Sequence, residues 1–108
     1  MSIITEIVTI KLSSNVTKDK FFSSVDVLEK DFHSKQPGFI DTELLYDEKD
    51  DSWIMIQHWE SMEQLKSASE KMFTSSAAEP FIKLLKPEDV KMIIAPQLGM
   101  WRSDHEKV

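Results

Sequence analysis

The chain has 108 residues, 41% of them hydrophobic and 30% charged, a balance that places it among folded globular domains and excludes a disordered polymer. A formal charge of −6, with no Lys/Arg cluster interleaved with aromatics, argues against nucleic acid as a partner. The lack of cysteine excludes disulfides, a thiolate nucleophile, an iron–sulfur cluster and a thiolate zinc site. The N-terminal MSIITEIVTIKLSS carries an early acid, Glu6, and no basic stretch ahead of an apolar segment. Nothing approaches a membrane span in length, so the sequence reads as a cytoplasmic protein with no membrane partner.

Residues 3–12 have the β-branched richness of a strand, with Ile4, Glu6, Val8, Ile10 and Leu12 on one side, and Ser13-Ser14-Asn15 offers a turn. From Thr17, Phe21, Val25, Leu28 and Phe32 recur at helical spacing and predict a long amphipathic helix that Pro37-Gly38 ends. His33 lies late in that helix among Asp31, Ser34 and Lys35 and is expected on the surface. A second strand over 39–46 sets Ile40, Thr42, Leu44 and Tyr46 opposite Phe39, Asp41, Glu43 and Leu45. The acidic run 47–51 reads as a solvated hairpin loop, because it lacks the spacing and internal glycine of a calcium loop.

The third strand, within DSWIMIQHWES, is apolar on both faces: Trp53, Met55 and Trp59 share one side with Gln57, while Ile54 and Ile56 share the other with His58. Ser61, with Gln64 three residues on, is an N-cap signature, and Met62, Leu65, Ala68 or Ser69, and Met72 continue a helical face. A short helix restarts near Pro80, carrying Phe81, Leu84 and Leu85 inward, and Pro87 ends it. Residues 88–98 form a fourth strand in which Val90, Met92 and Ile94 alternate with Lys91, Ile93 and Ala95. Trp101, Arg102 to Val108 and His105 fall in a tail, so a single domain over 1–108 has its core at 3–97 and its tail at 99–108. The order β-α-β-β-α-β predicts an α+β, ferredoxin-like fold: one four-stranded antiparallel sheet with helices on one face. Helices cover only one face, so the Ile-rich second face predicts a homodimer that packs sheet on sheet.

The stretch QPGFIDTELLYDEKDDSWIMIQHWESMEQLKSA resembles the antibiotic biosynthesis monooxygenase-like family of dimeric α+β barrels. The resemblance rests on Pro37-Gly38 before the second strand, the apolar third strand, and Trp59-Glu60-Ser61 followed by Leu65, and it extends more loosely over 3–97. It implies a homodimer with a pocket in each subunit between sheet and helices. It also implies a cofactor-independent monooxygenase that acts with dioxygen on a small hydrophobic aromatic molecule of quinol or phenol type. In such chemistry the protein holds the substrate dry, stabilises its anion and moves a proton.

His58, whose imidazole can accept a phenolic proton, and Trp59, which can stack on an aromatic, are the candidate catalytic residues. Trp53, Met55, Gln57, Tyr46, Met72 and Phe21 are the candidate substrate-binding residues. Core packing is the competing role for the apolar ones, and an interface position is the competing role for His58. Related monooxygenases often carry histidines in the second helix, where this chain has Ser67-Ala68-Ser69-Glu70-Lys71-Met72-Phe73. That departure keeps a non-catalytic binding or stress-response module as an alternative. It also removes the axial histidine that the family's haem-degrading branch needs.

Overall fold

A computed structural model describes residues 2–104. The strands are β1 (Ile4–Ile10), β2 (Phe39–Asp47), β3 (Ser52–Trp59) and β4 (Val90–Pro96), and the helices are α1 (Lys18–Asp31), α2 (Met62–Met72) and α3 (Glu79–Leu84). All pairings are antiparallel, in the order β2-β3-β1-β4. This is the ferredoxin-like plan expected from the alternation and helical stripes, with the second helical region split into α2 and α3. His105 lies outside the described residues.

Local chemistry sets the element ends. The Thr17 hydroxyl accepts from the Lys20 N–H and starts α1, and the Ser61 hydroxyl accepts from the Gln64 N–H and starts α2. Gly38 turns the chain into β2 with φ +82°, a conformation that side chains with a Cβ resist. The first strand ends at Ile10 rather than residue 12, and β4 begins at Val90 because Pro87–Asp89 forms a 3-10 turn.

Two departures reshape the region around the first helix. The expected continuation of α1 to Pro37 stops at Asp31, and a 3-10 turn over His33–Lys35 follows, tightened by N–H donation from Lys35 to Phe32 O and from Gln36 to His33 O. A bulge between Phe39 and Asp41 shifts the β2 register, so that Phe39 pairs with Trp59 on the helix side and not with the outward set.

On the helix side of the sheet, β1 presents Ile4, Glu6, Val8 and Ile10, and β3 presents Trp53, Met55, Gln57 and Trp59. Two buried clusters form there. Ile10, Phe21, Val25, Leu28, Trp53, Met55 and Phe81 pack at one end under α1 and α3, with the Phe21 ring centroid 4.8 Å from Trp53 and 5.8 Å from Phe81. Ile4, Trp59, Leu65 and Ala68 pack at the other end under α2. Each fully buried side chain of this size contributes about 1.5–3 kcal/mol, so either cluster is worth several such terms. Between them, the middle of β1 and β3 carries Glu6 and Gln57 as register partners, where the neighbours on the same face, Ile4 and Val8, Met55 and Trp59, are apolar.

No helix among the described residues covers the opposite sheet face. Ile56, Ile7 and Ile93 lie side by side across β3, β1 and β4, flanked by Leu45 and Ile54. Ile93 is 63% exposed.

Candidate active site

The gap between the two clusters is a cavity of about 420 Å³. Its floor is the helix-side face of β1, β3 and β4, including Val8, Met55 and Val90; its walls come from Leu28, Ala68, Met72, Phe81 and Ile82. Ser69, Phe73 and Met92 line it and are themselves exposed, so the cavity opens between α2 and the uncovered edge strand β4. Its size and apolar lining suit a small organic molecule.

One pole of this apolar space is polar. Glu6, Gln57 and His33 line it together, and all three are buried: Glu6 is 7% exposed and His33 is 6% exposed. The 3-10 turn after α1 turns His33 inward, where its ring stacks on Phe39 at 5.6 Å and meets Trp59 edge-on at 5.9 Å. His33 Nδ1–H donates to Glu29 Oε2 at 2.6 Å. The Gln57 amide lies against both, its nitrogen 3.2 Å from Nδ1 and 3.5 Å from Glu29 Oε2. Nδ1 is thereby engaged, leaving Nε2 as the ring nitrogen without a described hydrogen-bond partner.

The Glu6 carboxyl accepts no hydrogen bond from any described residue. Burial raises its pKa above the usual 4.5, and the nearby His33 charge pulls in the opposite direction without cancelling the effect. Two fully buried polar atoms beside this pole, Glu29 Oε1 and Trp59 Nε1, also lack a partner among the described residues. Unsatisfied buried polar groups cost stability, and those that line the cavity, Glu6 and Trp59, mark a place where a ligand can satisfy them. No group of three or more His, Asp or Glu side chains among the described residues is arranged as a metal site.

The structure divides the residues singled out by sequence. Met55, Gln57, Trp59 and Met72 line the cavity. Phe21 and Trp53 are packed in the first buried cluster and do not line it. Tyr46 packs on Trp53 at 4.8 Å, lies under Lys18 and donates to Asp51 at 2.6 Å, and it does not line the cavity. That hydrogen bond, together with the surrounding acidic loop, raises the Tyr46 pKa. His58 occupies the opposite sheet face, where strand alternation puts it, with Nδ1 2.7 Å from Asp41 Oδ1; it does not reach the cavity. The histidine at the cavity is His33, and the expectation that it lies on the surface fails because α1 ends before it. Alternation puts Glu6 on the buried face of β1, and an acid between Ile4 and Val8 on that face is the signal the sequence carries for it.

The antibiotic biosynthesis monooxygenase family model matches residues 5–71, more than half of the chain. The chain belongs to the antibiotic biosynthesis monooxygenase family. The matched part of this family member runs from β1 to the end of α2 and contains Glu6, His33, Gln57 and Trp59. No curated protein matches the chain in sequence. Among solved structures, it is similar to the cofactor-independent oxygenase SnoaB of Streptomyces nogalater (16% identity, 95% of this chain and 100% of that one, TM-score 0.70). A dimeric ferredoxin-like protein from an uncultured marine organism is also similar (10% identity, 96% and 95% covered, TM-score 0.69), as is a Pseudomonas aeruginosa protein (18% identity, 92% and 97% covered, TM-score 0.70). At these identities the likeness is one of fold. No helix among the described residues is long and apolar enough to cross a membrane.

Proposed function

We propose that this protein is a cofactor-independent monooxygenase that acts with dioxygen on a small aromatic molecule of quinol, phenol or anthrone type. The observation that carries the reading is the cavity of about 420 Å³, apolar along its length and polar at one buried pole. A flat aromatic fits the apolar walls of Met55, Met72 and Phe81, with Trp59 beside it, and sets its oxygen-bearing end against Glu6, Gln57 and His33. For an anthrone, loss of a ring-methylene proton gives an enolate that transfers electrons to dioxygen. A carbon–oxygen bond forms, and loss of water from the hydroperoxide leaves a quinone, so one oxygen atom enters the product and the other leaves as water. A dry site strengthens the electrostatic support for the anion.

The active form in this reading is a single-domain homodimer joined through the outer sheet face. Support comes from the uncovered row Ile56, Ile7 and Ile93, from the exposed Leu98, Met100 and Trp101 beyond β4, and from the dimeric state named for the marine structure.

The test is oxygen uptake and quinone formation by metal-free protein offered a panel of quinols and anthrones. Uptake above the uncatalysed background is expected for at least one. Saturable binding of the panel with no uptake for any member would favour a binding module instead.

A further inference from the structure

Glu6 is the feature of the cavity that packing does not explain. A carboxyl at a central position of β1, between Ile4 and Val8 and opposite Gln57, is 7% exposed, lines the cavity and is bound by no described residue. An ionised carboxylate in such a place destabilises the fold, and an apolar residue there would join the two buried clusters. Its polar neighbours are each engaged through at least one atom: His33 Nδ1 holds Glu29 Oε2, and the Gln57 amide nitrogen lies against both.

We propose that Glu6 is the general base of the reaction, accepting the proton that the aromatic substrate loses before dioxygen is reduced, while Glu29 positions His33 to face the resulting anion. This rests on the monooxygenase reading of the cavity. The Glu6 carboxylate oxygen takes the proton from the substrate's methylene carbon or hydroxyl oxygen. The electron pair stays on the substrate, and the proton leaves later with the water that is eliminated. A carboxylate that burial has made more basic than usual, and that no donor among the described residues occupies, is suited to this transfer. His33, anchored through Nδ1, offers the other ring nitrogen and, when protonated, a positive charge at the same pole. Among the described residues, the remaining groups facing the cavity from α2, α3 and β4 are uncharged, so the ionisable side chains of the site are Glu6 and His33, with Glu29 behind His33.

The experiment separates proton removal from oxidation. Anthrone is incubated with the full chain in deuterated buffer without oxygen, and loss of the methylene proton signal is followed by NMR for wild type, Glu6→Gln and Glu6→Asp; oxygen uptake on anthrone is measured in parallel. Wild type is expected to accelerate exchange, with a rate that rises as pH passes the raised Glu6 pKa. Glu6→Gln is expected to lose about a hundredfold or more, and Glu6→Asp to keep the pH dependence at a lower rate. Glu6→Gln is close to isosteric and removes a buried charge, so its melting temperature should equal or exceed that of wild type, which separates lost chemistry from lost fold.

Exchange in Glu6→Gln at the wild-type rate, or no acceleration by wild type, overturns the assignment. Oxygen uptake that survives Glu6→Gln overturns Glu6 and leaves the monooxygenase reading standing. Exchange that Glu6→Gln abolishes, in a protein that takes up no oxygen, supports Glu6 as a base and overturns the oxidation.

Discussion

Replacing Ile93 by aspartate probes the outer sheet face without touching the cavity. Ile93 is 63% exposed, on the face opposite the helices, beside Ile7 and in line with Ile56. Complete burial of an isoleucine side chain is worth about 1.5–3 kcal/mol, so covering the exposed portion contributes about 1–2 kcal/mol in each copy and about 2–4 kcal/mol in a symmetric dimer. Ile93→Asp forfeits this and places a carboxylate in each half of the interface. The dimer dissociation constant should therefore rise by roughly 30- to 1,000-fold at the least. Because the position is solvent-accessible within one subunit, the folded monomer should lose little stability, about 0.5 kcal/mol or less. Sedimentation equilibrium over a concentration series measures the constant, and thermal melting of the dilute protein checks the fold. A variant that dimerises as tightly as wild type, or a wild type that is monomeric at micromolar concentration, would refute the sheet-on-sheet assembly.

Further outcomes follow from the same geometry. Burial raises the Glu6 pKa above 4.5, so Glu6 is protonated in both folded and unfolded chains at low pH and costs nothing there. As pH climbs from 4.5 through the folded-state value, the unfolded chain ionises first and wild-type stability falls. Denaturant melts should thus find Glu6→Gln gaining on wild type across that window and holding a constant advantage above it; a gap independent of pH would contradict the buried carboxylate. Gly38→Ala should lower stability by about 1–2 kcal/mol or more, since φ is +82° and an added Cβ would fall 2.2 Å from Gln64 Oε1; an unchanged denaturation midpoint would refute the turn geometry. Ser61→Ala should cost about 1 kcal/mol through loss of the α2 cap, a loss that Ser61→Asp should largely restore.

Much of the fold was legible because burial imposes a period. Strand alternation placed Trp53, Met55, Gln57 and Trp59 together and set His58 against them, and the cap at Ser61 located α2 to the residue. The site was less legible because it depends on breaks in those periods. His33 continues a helical pattern in sequence but follows a helix that has ended, and its direction comes from a 3-10 turn that composition does not announce. Phe39 alternates into one set with Asp41, Glu43 and Leu45 until the bulge separates it from them. Glu6 needed the pairing register: only when β1 is laid beside β3 does it meet Gln57 and fall between two apolar clusters.

The cavity as the seat of oxidation is tested most directly by closing it. Val8 lies on its floor, two residues along β1 from Glu6, and Val8→Trp projects an indole into the space while leaving Glu6, His33 and the outer sheet face in place. Oxygen uptake on anthrone should be measurable for wild type and fall to the uncatalysed rate in Val8→Trp, with folding and dimerisation retained. Uptake undiminished by the indole would place the chemistry elsewhere and contradict the assignment.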